Sequence, residues 1–363
     1  DYAYVADGQW GIHVVDISNP ISPAAAAEYS TSGVANSIYK IGNLLYISES
    51  NMGLEIIDIA DFADIIPVGL YNPKATRNVT VNGNYAYISS ETYGFSAVDI
   101  SNWQDPVVIG HRNTTGSCYA SCVSGDFAYV ANGYQGLLIL DISVPNDPVF
   151  AGSAILSGNS FDVSLSGNYA FLANQGQGIA IVDISNSYSP TVTGIYDTPD
   201  DARDVCVNGD FAYVADMTSG LLVLNISDPT APFRESQTTF AGSAKSVGFY
   251  NDYVLVGCDN GHAYVCEVFD PQGPLPIADV TFNNSEIDQI TFNGPYAYLA
   301  GENSGVVILD MSNPNIPVQV GAYNTFGSAL GVATSGSGIF VADQSSFTVL
   351  QFAALNVNEP ESN

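Results

Sequence analysis

The side chains of this sequence that could bind a ligand recur at one position of a repeating pattern. Eight residues spaced 41 to 43 positions apart share this register, and five of them are basic or aromatic. Three of the seven lysine and arginine residues of the protein fall within it. Cations bind anionic groups and aromatic rings offer flat contact surfaces, so the register predicts a site for an anion or a glycan. The register contains Asn36, Arg77, Tyr119, Phe161, Arg203, Lys245, Asp288 and Leu330, of which Arg77, Tyr119, Phe161, Arg203 and Lys245 are the candidate ligand-binding residues.

A structural role for the same residues is the alternative. Each cation could pair with an acidic neighbour such as Asp162 or Asp204, or with a turn carbonyl, and so hold adjacent repeats together. The adjacent residues Arg203 and Asp204 favour this second interpretation. The sequence leaves the choice open.

The residues of this register lie among segments that the sequence predicts to be short β-strands. Nine apolar hairpins, best seen at FAYVADMTSGLLVLNISDP (211–229), repeat about every 42 residues. An alternating run such as DVCVNG (204–209) precedes every hairpin but the first, and a run such as PVVIGH (106–111) follows every hairpin but the last. Even AAAA (24–27) falls in the fourth-strand position and is predicted to be a strand. Four antiparallel strands in roughly 40–45 residues are typical of a β-propeller blade.

We therefore predict an all-β fold, a β-propeller of four-stranded antiparallel blades, with nine blades and with eight as the alternative. Residues 1–355 form this one domain of nine repeats, and residues 356–363 form a polar tail or linker. In a propeller, the basic and aromatic register lies where each innermost strand begins, at the mouth of the central channel. The chain starts inside a repeat, so we expect further residues upstream.

The charge balance excludes several classes of function. The formal net charge is −30, from 37 acidic and only 7 basic residues. Binding to nucleic acid or to anionic membrane surfaces needs clusters of lysine and arginine, so neither partner is expected. There is no run of 18 apolar residues, so we expect no direct membrane insertion. The polar, cation-poor composition favours an extracellular or cell-surface protein.

An aspartate followed by Ile-Ser, Ile-Ala or Met-Ser ends the second hairpin strand in most repeats. A ring of calcium ligands is one interpretation, and a cap of the following turn is the other. Recurrence in nearly every repeat favours the cap, and an asparagine at the same register suits a cap better than a metal ligand. We therefore predict no metal site. The aspartates are Asp16, Asp58, Asp99, Asp141, Asp183 and Asp310, and the asparagine is Asn225.

Five cysteines with irregular spacing do not form a disulfide framework. A bond between Cys118 and Cys122 would require a compact loop between them. Buried free thiols are the favoured interpretation.

Four Asn-X-Ser/Thr sequons could carry N-linked glycans if the protein is exported. An Asn-, Ser- and Thr-rich chain also contains such triplets by chance, so the two explanations are equally weighted. The sequons begin at Asn78, Asn113, Asn225 and Asn283.

Catalysis has little support in the sequence. The motifs GxSxG, HExxH and the Walker and dinucleotide glycine patterns are absent. The histidines His13, His111 and His262 lie at non-equivalent positions of the repeat. We predict no enzyme, no catalytic residues and no cofactor, and we keep a hydrolase or lyase with carboxylates around the channel as the weakest alternative.

The pattern YVAD…GLLVLDIS…P resembles the LVIVD-repeat family of β-propellers, which is related to surface-layer propellers of the YVTN type. The resemblance covers almost the whole chain, and the seventh copy, GHAYVCEVF (261–269), departs most from it. It implies an extracellular or cell-envelope protein of bacteria or archaea and no established enzymatic activity. The GLxVxDIS-like motif starts at Gly11, Gly53, Gly136, Gly178 and Gly220.

We expect a non-enzymatic, structural or adhesive module whose partners are other surface proteins or copies of itself. Aromatic residues of the loop faces, Trp10, Tyr93, Trp103 and Tyr134, would supply contacts. The last repeat lacks a fourth strand, so a second copy could add one and build a layer or filament. The alternative function is binding of a glycan or an anion at the channel mouth.

Overall fold

The computed structural model describes the strands of the first 71 residues and most of the chain after residue 74. The described residues are 2–6, 12–16, 24–29, 35–41, 44–49, 53–58, 66–71, 75–102, 106–282, 285–302, 304–323, 328–335, 338–344 and 347–351. They contain no helix long and apolar enough to cross a membrane.

Antiparallel strands make up nine sheets. The first two sheets contain β1 (Tyr2–Ala6), β2 (Ile12–Asp16), β3 (Ala24–Tyr29), β4 (Ala35–Ile41), β5 (Leu44–Glu49), β6 (Gly53–Asp58) and β7 (Ile66–Tyr71). The next three contain β8 (Thr76–Asn82), β9 (Tyr85–Ser90), β10 (Gly94–Asp99), β11 (Val107–Arg112), β12 (Ala120–Ser124), β13 (Phe127–Ala131), β14 (Leu137–Asp141), β15 (Val149–Ala154), β16 (Asp162–Ser166), β17 (Tyr169–Ala173), β18 (Ile179–Asp183) and β19 (Thr191–Tyr196). The last four contain β20 (Asp204–Asn208), β21 (Phe211–Ala215), β22 (Leu221–Asn225), β23 (Phe233–Thr238), β24 (Ala244–Tyr250), β25 (Tyr253–Cys258), β26 (His262–Glu267), β27 (Leu275–Thr281), β28 (Gln289–Asn293), β29 (Tyr296–Gly301), β30 (Gly305–Asp310), β31 (Val318–Tyr323), β32 (Gly331–Ser335), β33 (Gly338–Ala342) and β34 (Phe347–Gln351).

Strand order within each sheet follows the chain. Seven sheets have four strands, whereas β1–β3 and β32–β34 have three. This strand inventory confirms the sequence prediction, including the polyalanine stretch, which lies in β3. A two-residue loop joins the first two strands of a typical sheet, as between Asn208 and Phe211. Its first residue, Gly209, has φ +57°, which a residue without Cβ adopts at little cost.

The inner strands of the later sheets close into a ring. They contact one another in the series β8, β12, β16, β20, β24, β28 and β32, and β32 then contacts β8. The backbone N–H of Thr76 donates to the carbonyl of Gln344 at 3.2 Å across this closure. The first two sheets precede the ring, and their strands β1 and β4 contact each other.

The core lies between neighbouring sheets. Buried apolar residues of the described chain form seven clusters, and each cluster spans two adjacent sheets of the ring. The cluster at the closure joins Val79 and Ile88 of the first sheet in the ring to Phe340 and Phe347 of the last. Each blade therefore buries both faces against its neighbours, which explains why the hairpin strands are apolar nearly throughout.

The predicted blade number is wrong. The propeller has six four-stranded blades, β8 to β31, and the three-stranded sheet β32–β34 closes the ring, so neither nine nor eight blades surround the axis. The 42-residue period fixes the strands of one blade. The number of blades depends on the angle between adjacent sheets, and the side chains packed between the sheets set that angle.

The outer strands of the six complete blades share two devices. A proline directly precedes each of them, and each contains a bulge where one of its residues has no partner on the neighbouring strand. Prolines and bulges are common means by which natural sheets discourage pairing with another chain. The outer strands are therefore poor sites for addition of a further strand.

Candidate functional site

Local backbone bonds fix the register of basic and aromatic residues at the start of the inner strands. The N–H of Phe161 donates to the carbonyl of Ala173 at 2.8 Å, and the N–H of Arg203 donates to the carbonyl of Ala215 at 2.9 Å. The same bond recurs at Tyr119, Asp288 and Leu330. Each residue is thereby tied to the end of the adjacent hairpin strand in its own blade.

Seven of the eight register residues meet at one depression at the channel mouth. Its volume is about 140 Å³, and each sheet of the ring contributes one residue to its wall. The eighth residue, Asn36, lies on β4, and its side chain is outside the described residues. We call this depression the channel-mouth pocket. Its lining residues are Arg77, Tyr119, Phe161, Arg203, Lys245, Asp288 and Leu330.

Four of these residues form a continuous stack across neighbouring blades. The rings of Tyr119 and Phe161 have centroids 4.8 Å apart. The guanidinium of Arg77 lies 5.7 Å from the Tyr119 centroid, and that of Arg203 lies 4.4 Å from the Phe161 centroid. Cation–π contacts of this kind orient a guanidinium and contribute about 0.5–2 kcal/mol each.

The cations of the pocket also form ion pairs. Arg77 donates from Nε at 3.0 Å and from Nη2 at 2.6 Å to one oxygen of Glu91. Lys245 contacts Glu286 and lies 3.1 Å from Asp288. These acidic partners differ from the two, Asp162 and Asp204, that the structural interpretation of the sequence named.

Arg203 is the exception among the three cations. Its acidic partner is Asp201, at the longer distance of 3.7 Å. Its Nε–H is buried and has no acceptor within the described residues. Because its ion pair is the longest of the three cations, this guanidinium is the cation of the pocket that is best prepared to bind an added acceptor.

An acceptor without a donor lies in the same pocket. Oδ2 of Asp288 is buried and has no hydrogen-bond partner in the part of the chain that the structure describes. Burial raises the pKa of the Asp288 carboxyl, and the nearby Lys245 ammonium opposes this rise only in part. Oxygens of Asp288, Glu286 and Glu302 lie within 4.8 Å of one another, and Lys245 contacts the first two carboxylates.

Behind the pocket, polar side chains join consecutive inner strands. Oδ2 of Asp162 accepts the N–H of Val205 at 3.3 Å, and Oδ2 of Asp204 accepts the N–H of Val247 at 2.8 Å. Gln289 accepts the N–H of Val332 at 2.6 Å in the same manner. The residues that follow Phe161, Arg203 and Asp288 thus bond to the next blade, so Asp162 and Asp204 have a structural role that does not involve the cations.

Asp162 and Asp204 also share a hydrogen bond with each other, which favours one proton on the pair. Burial raises both pKa values, and the charge of Asp162 raises the pKa of Asp204 further. The contribution of this pair to stability is therefore fully present below about pH 4, the pKa of an aspartate in the unfolded chain. It is lost as the pH rises through the higher pKa values that the pair has in the folded protein.

We predict that Asp204→Asn makes stability less dependent on pH. The amide keeps an acceptor for Val247 and removes the second buried charge, so the free energy of unfolding should rise relative to wild type as pH increases from 5 to 9. Denaturant unfolding across this range measures the difference. Gln289→Ala is the control. It breaks the equivalent bond of a side chain that does not titrate, so its effect on the free energy of unfolding should not change with pH. A difference between Asp204→Asn and wild type that stays constant with pH would contradict the prediction.

The turn-cap interpretation of the repeated aspartates is confirmed where the structure describes it. The carboxylate of Asp183 accepts the N–H of Ser185 at 2.8 Å. These bonds lower the aspartate pKa values because they favour the charged form. Side chains of Asp16 and Asp58 lie outside the described residues. The same bond occurs at Asp99, Asp141, Asn225 and Asp310.

The five cysteines are free thiols, as expected, and Cys118 and Cys122 are not bonded to each other. Three of the thiols are buried as predicted, whereas Cys122 and Cys206 are half-buried. Burial raises the pKa of Cys122 to about 12, and Asp162 and Asp204 add to this rise. A thiol with such a pKa stays protonated and is a poor nucleophile at neutral pH.

The sequons differ in exposure. Asn78 is buried and accepts the N–H of Ser121 at 3.3 Å. Asn113 is exposed, Asn225 is half-buried and caps a turn, and Asn283 lies outside the described residues. Glycosylation therefore stays a prediction, and Asn113 offers the most accessible side chain of the three that the structure describes.

The repeats of this chain match a known family model. The LVIVD repeat model matches seven segments that together cover well over half of the chain: 1–31, 32–72, 73–114, 120–154, 157–198, 199–237 and 287–325. The chain belongs to the LVIVD repeat family. The divergent seventh copy lies within 238–286, which the family model does not match. No curated protein matches this LVIVD chain significantly.

Solved structures show the same fold at low sequence identity. The computationally designed Ika8 protein is 8% identical, with a TM-score of 0.61 over 89% of this chain and 97% of its own. BamB from Moraxella catarrhalis is 14% identical, with a TM-score of 0.54 over 87% of this chain and 94% of its own. At these identities the similarity concerns the fold alone.

Sequence reasoning missed two features of this LVIVD propeller. It did not find the acidic partners Glu91, Glu286 and Glu302, which come from hairpin ends and loops rather than from the repeated register. It also missed the exposed apolar residues of the outer strands. The exposed apolar residues could have been predicted from the sequence. A proline directly precedes each outer strand of a complete blade, and the first residue of that strand is apolar in almost every blade.

Proposed function

We propose that this LVIVD propeller is a non-enzymatic protein-interaction module of a cell surface. The observation that supports it is a band of exposed apolar side chains on the outer strands of six consecutive blades. The first or second residue of each strand supplies one, with exposed fractions of 44% to 58%. We call this set the outer band: Val107, Phe150, Val192, Phe233, Leu275 and Val318.

Repeated apolar exposure of this kind favours an interface over a bare surface. Every complete blade exposes an apolar side chain at the start of its outer strand, and the aromatic residues among them are of the kind enriched in interface cores. The prolines and bulges of the same strands argue against strand addition, so contact through side chains is the favoured mode. Partners are other surface proteins or copies of this chain, and assembly into a layer or filament stays a prediction.

Site-specific photo-crosslinking tests the outer band. A photoreactive residue at Phe233, which is 52% exposed, should form covalent adducts with a partner in native material. The same residue at Asn208, which is also exposed but lies at an inner-strand turn, is the matched control. Adducts from Asn208 alone, or from neither position at high protein concentration, would contradict the proposal.

The second candidate function is binding of an acidic glycan at the channel mouth. Two aromatic rings and three of the seven basic residues of the protein converge on the one pocket. A glycan array should then show hits among acidic sugars, and Arg203→Glu should abolish them by repulsion while the fold, followed by circular dichroism, stays intact. An array with no acidic hits would count against this function and would leave the outer band untouched.

A further inference from the structure

We infer that the channel-mouth pocket takes a single monoanionic, hydroxyl-bearing ligand, such as the terminal carboxylate sugar of an acidic glycan, and rejects polyanions. This inference rests on the second candidate function and narrows it. It follows from which charges of the pocket are already neutralised, which polar side chains line it, and how much space is present.

Only one cation of the pocket is available to a ligand. Arg77 is held by Glu91 at 2.6 Å, and Lys245 is held by Glu286 and by Asp288. Arg203 has the weaker contact with Asp201, at 3.7 Å, which is longer than a charge-assisted hydrogen bond. A ligand can therefore gain one strong ionic interaction here, which matches one negative charge.

Arg203 is also oriented for a carboxylate. Its guanidinium lies 4.4 Å from the centroid of Phe161, so the ring supports one face of the plane. The Arg203 side chain lines the pocket and is 30% exposed. A guanidinium binds a carboxylate through two parallel N–H groups, and a fixed plane loses less entropy when it does so.

Asp288 supplies the second recognition element. Its carboxylate lines the pocket with the side chain 19% exposed, so it can accept a hydrogen bond from a ligand hydroxyl and cannot donate one while ionised. Glu286 and Glu302 lie beside it, so this side of the pocket repels a second negative charge. The pocket thus combines one donor for an anion with one acceptor for a hydroxyl.

The space limits the ligand to about one sugar unit. The pocket has a volume of about 140 Å³, below the roughly 300–1,000 Å³ of sites that enclose drug-sized molecules. Asp162 and Asp204 directly follow the pocket residues Phe161 and Arg203 and bond to the next blade, so these blades cannot move apart to widen the pocket without breaking the bonds. A longer glycan would place its other units outside the channel mouth.

Calorimetric titration of the whole protein with glucuronate, glucose and sulfate tests the inference. Glucuronate should bind at least about tenfold more tightly than glucose, because the carboxylate adds the Arg203 interaction, and more tightly than sulfate. Arg203→Gln should weaken glucuronate about tenfold. Arg234→Gln, which removes an exposed cation of an outer strand, should have no effect. Asp288→Asn should raise the affinity for sulfate, since it removes the repelling charge.

Each other outcome is decisive. Sulfate binding as tight as glucuronate would overturn the monoanion inference and would leave anion binding at the channel mouth standing. Equal binding of glucose and glucuronate would overturn both the inference and the role of Arg203. If none of the three ligands binds, the inference and the channel-mouth function both fail, whereas the photo-crosslinking result at the outer band is unaffected.

Discussion

Phe340→Ala should destabilise the protein by about 3–5 kcal/mol, the usual cost of removing a buried phenylalanine side chain. Phe340 is 1% exposed and packs against Val79 and Ile88, more than 250 positions away in sequence, where the ring closes. The cavity therefore lies in the closing interface. Hydrogen exchange should show lost protection of amides in β8 and β9, and denaturant unfolding should give the change in free energy.

Phe171→Ala is the matched control. Phe171 occupies the same strand position in its own blade and packs against Val205 and Val214 of the next blade. Its removal should cost about the same free energy, because the buried side chain is the same. It should deprotect β20 and β21 instead of β8 and β9. Unchanged protection of β8 and β9 in Phe340→Ala would be evidence against closure between the last sheet and β8.

Gly178→Ala should lower the free energy of unfolding by about 3 kcal/mol. Gly178 has φ +71°, a conformation that costs other residues about 1–2 kcal/mol. An added Cβ would also lie 2.1 Å from the carbonyl oxygen of Tyr196, and relief of such a clash costs about 1–3 kcal/mol. The repeated glycine of the family motif is therefore required by the close approach of the outer strand to the hairpin turn.

Gly167→Ala separates the two costs. Gly167 has φ +55°, and a Cβ there would meet no atom within 4 Å. Its replacement should cost only about 1–2 kcal/mol, the conformational part. The chemical denaturation midpoints of the two variants measure the difference. If both variants lose the same free energy, the close approach of Tyr196 is not the reason why position 178 requires a glycine.

Much of the local structure could be predicted from the sequence. The alternation of apolar runs and turn residues gave all strands of the described chain, and the Asp-Ile-Ser turns were identified correctly as caps. These features depend on neighbours within about 20 residues. Register predicted the seven residues of the channel-mouth pocket for the same reason, since equivalent positions of equivalent blades must meet around one axis.

The partners of the pocket residues could not be predicted in this way. Arg77 pairs with Glu91 at a hairpin end, and Lys245 pairs with Glu286 before the next inner strand. Neither acid belongs to a repeated motif, so periodicity carried no signal for them. These ion pairs decide which cations of the pocket can still bind a ligand. The sequence therefore left the binding and structural interpretations of the register open.

The sequence by itself determined the strands of each repeat, their turns, the family and the register that faces the channel. The tertiary structure alone decided how many blades close the ring, which cation stays available and where apolar side chains stay exposed. The reason is that strands and turns arise from the spacing of residues near one another in the chain. Ring closure, ion pairing and exposure arise from packing between blades, where the angle between sheets and the reach of single side chains decide the outcome.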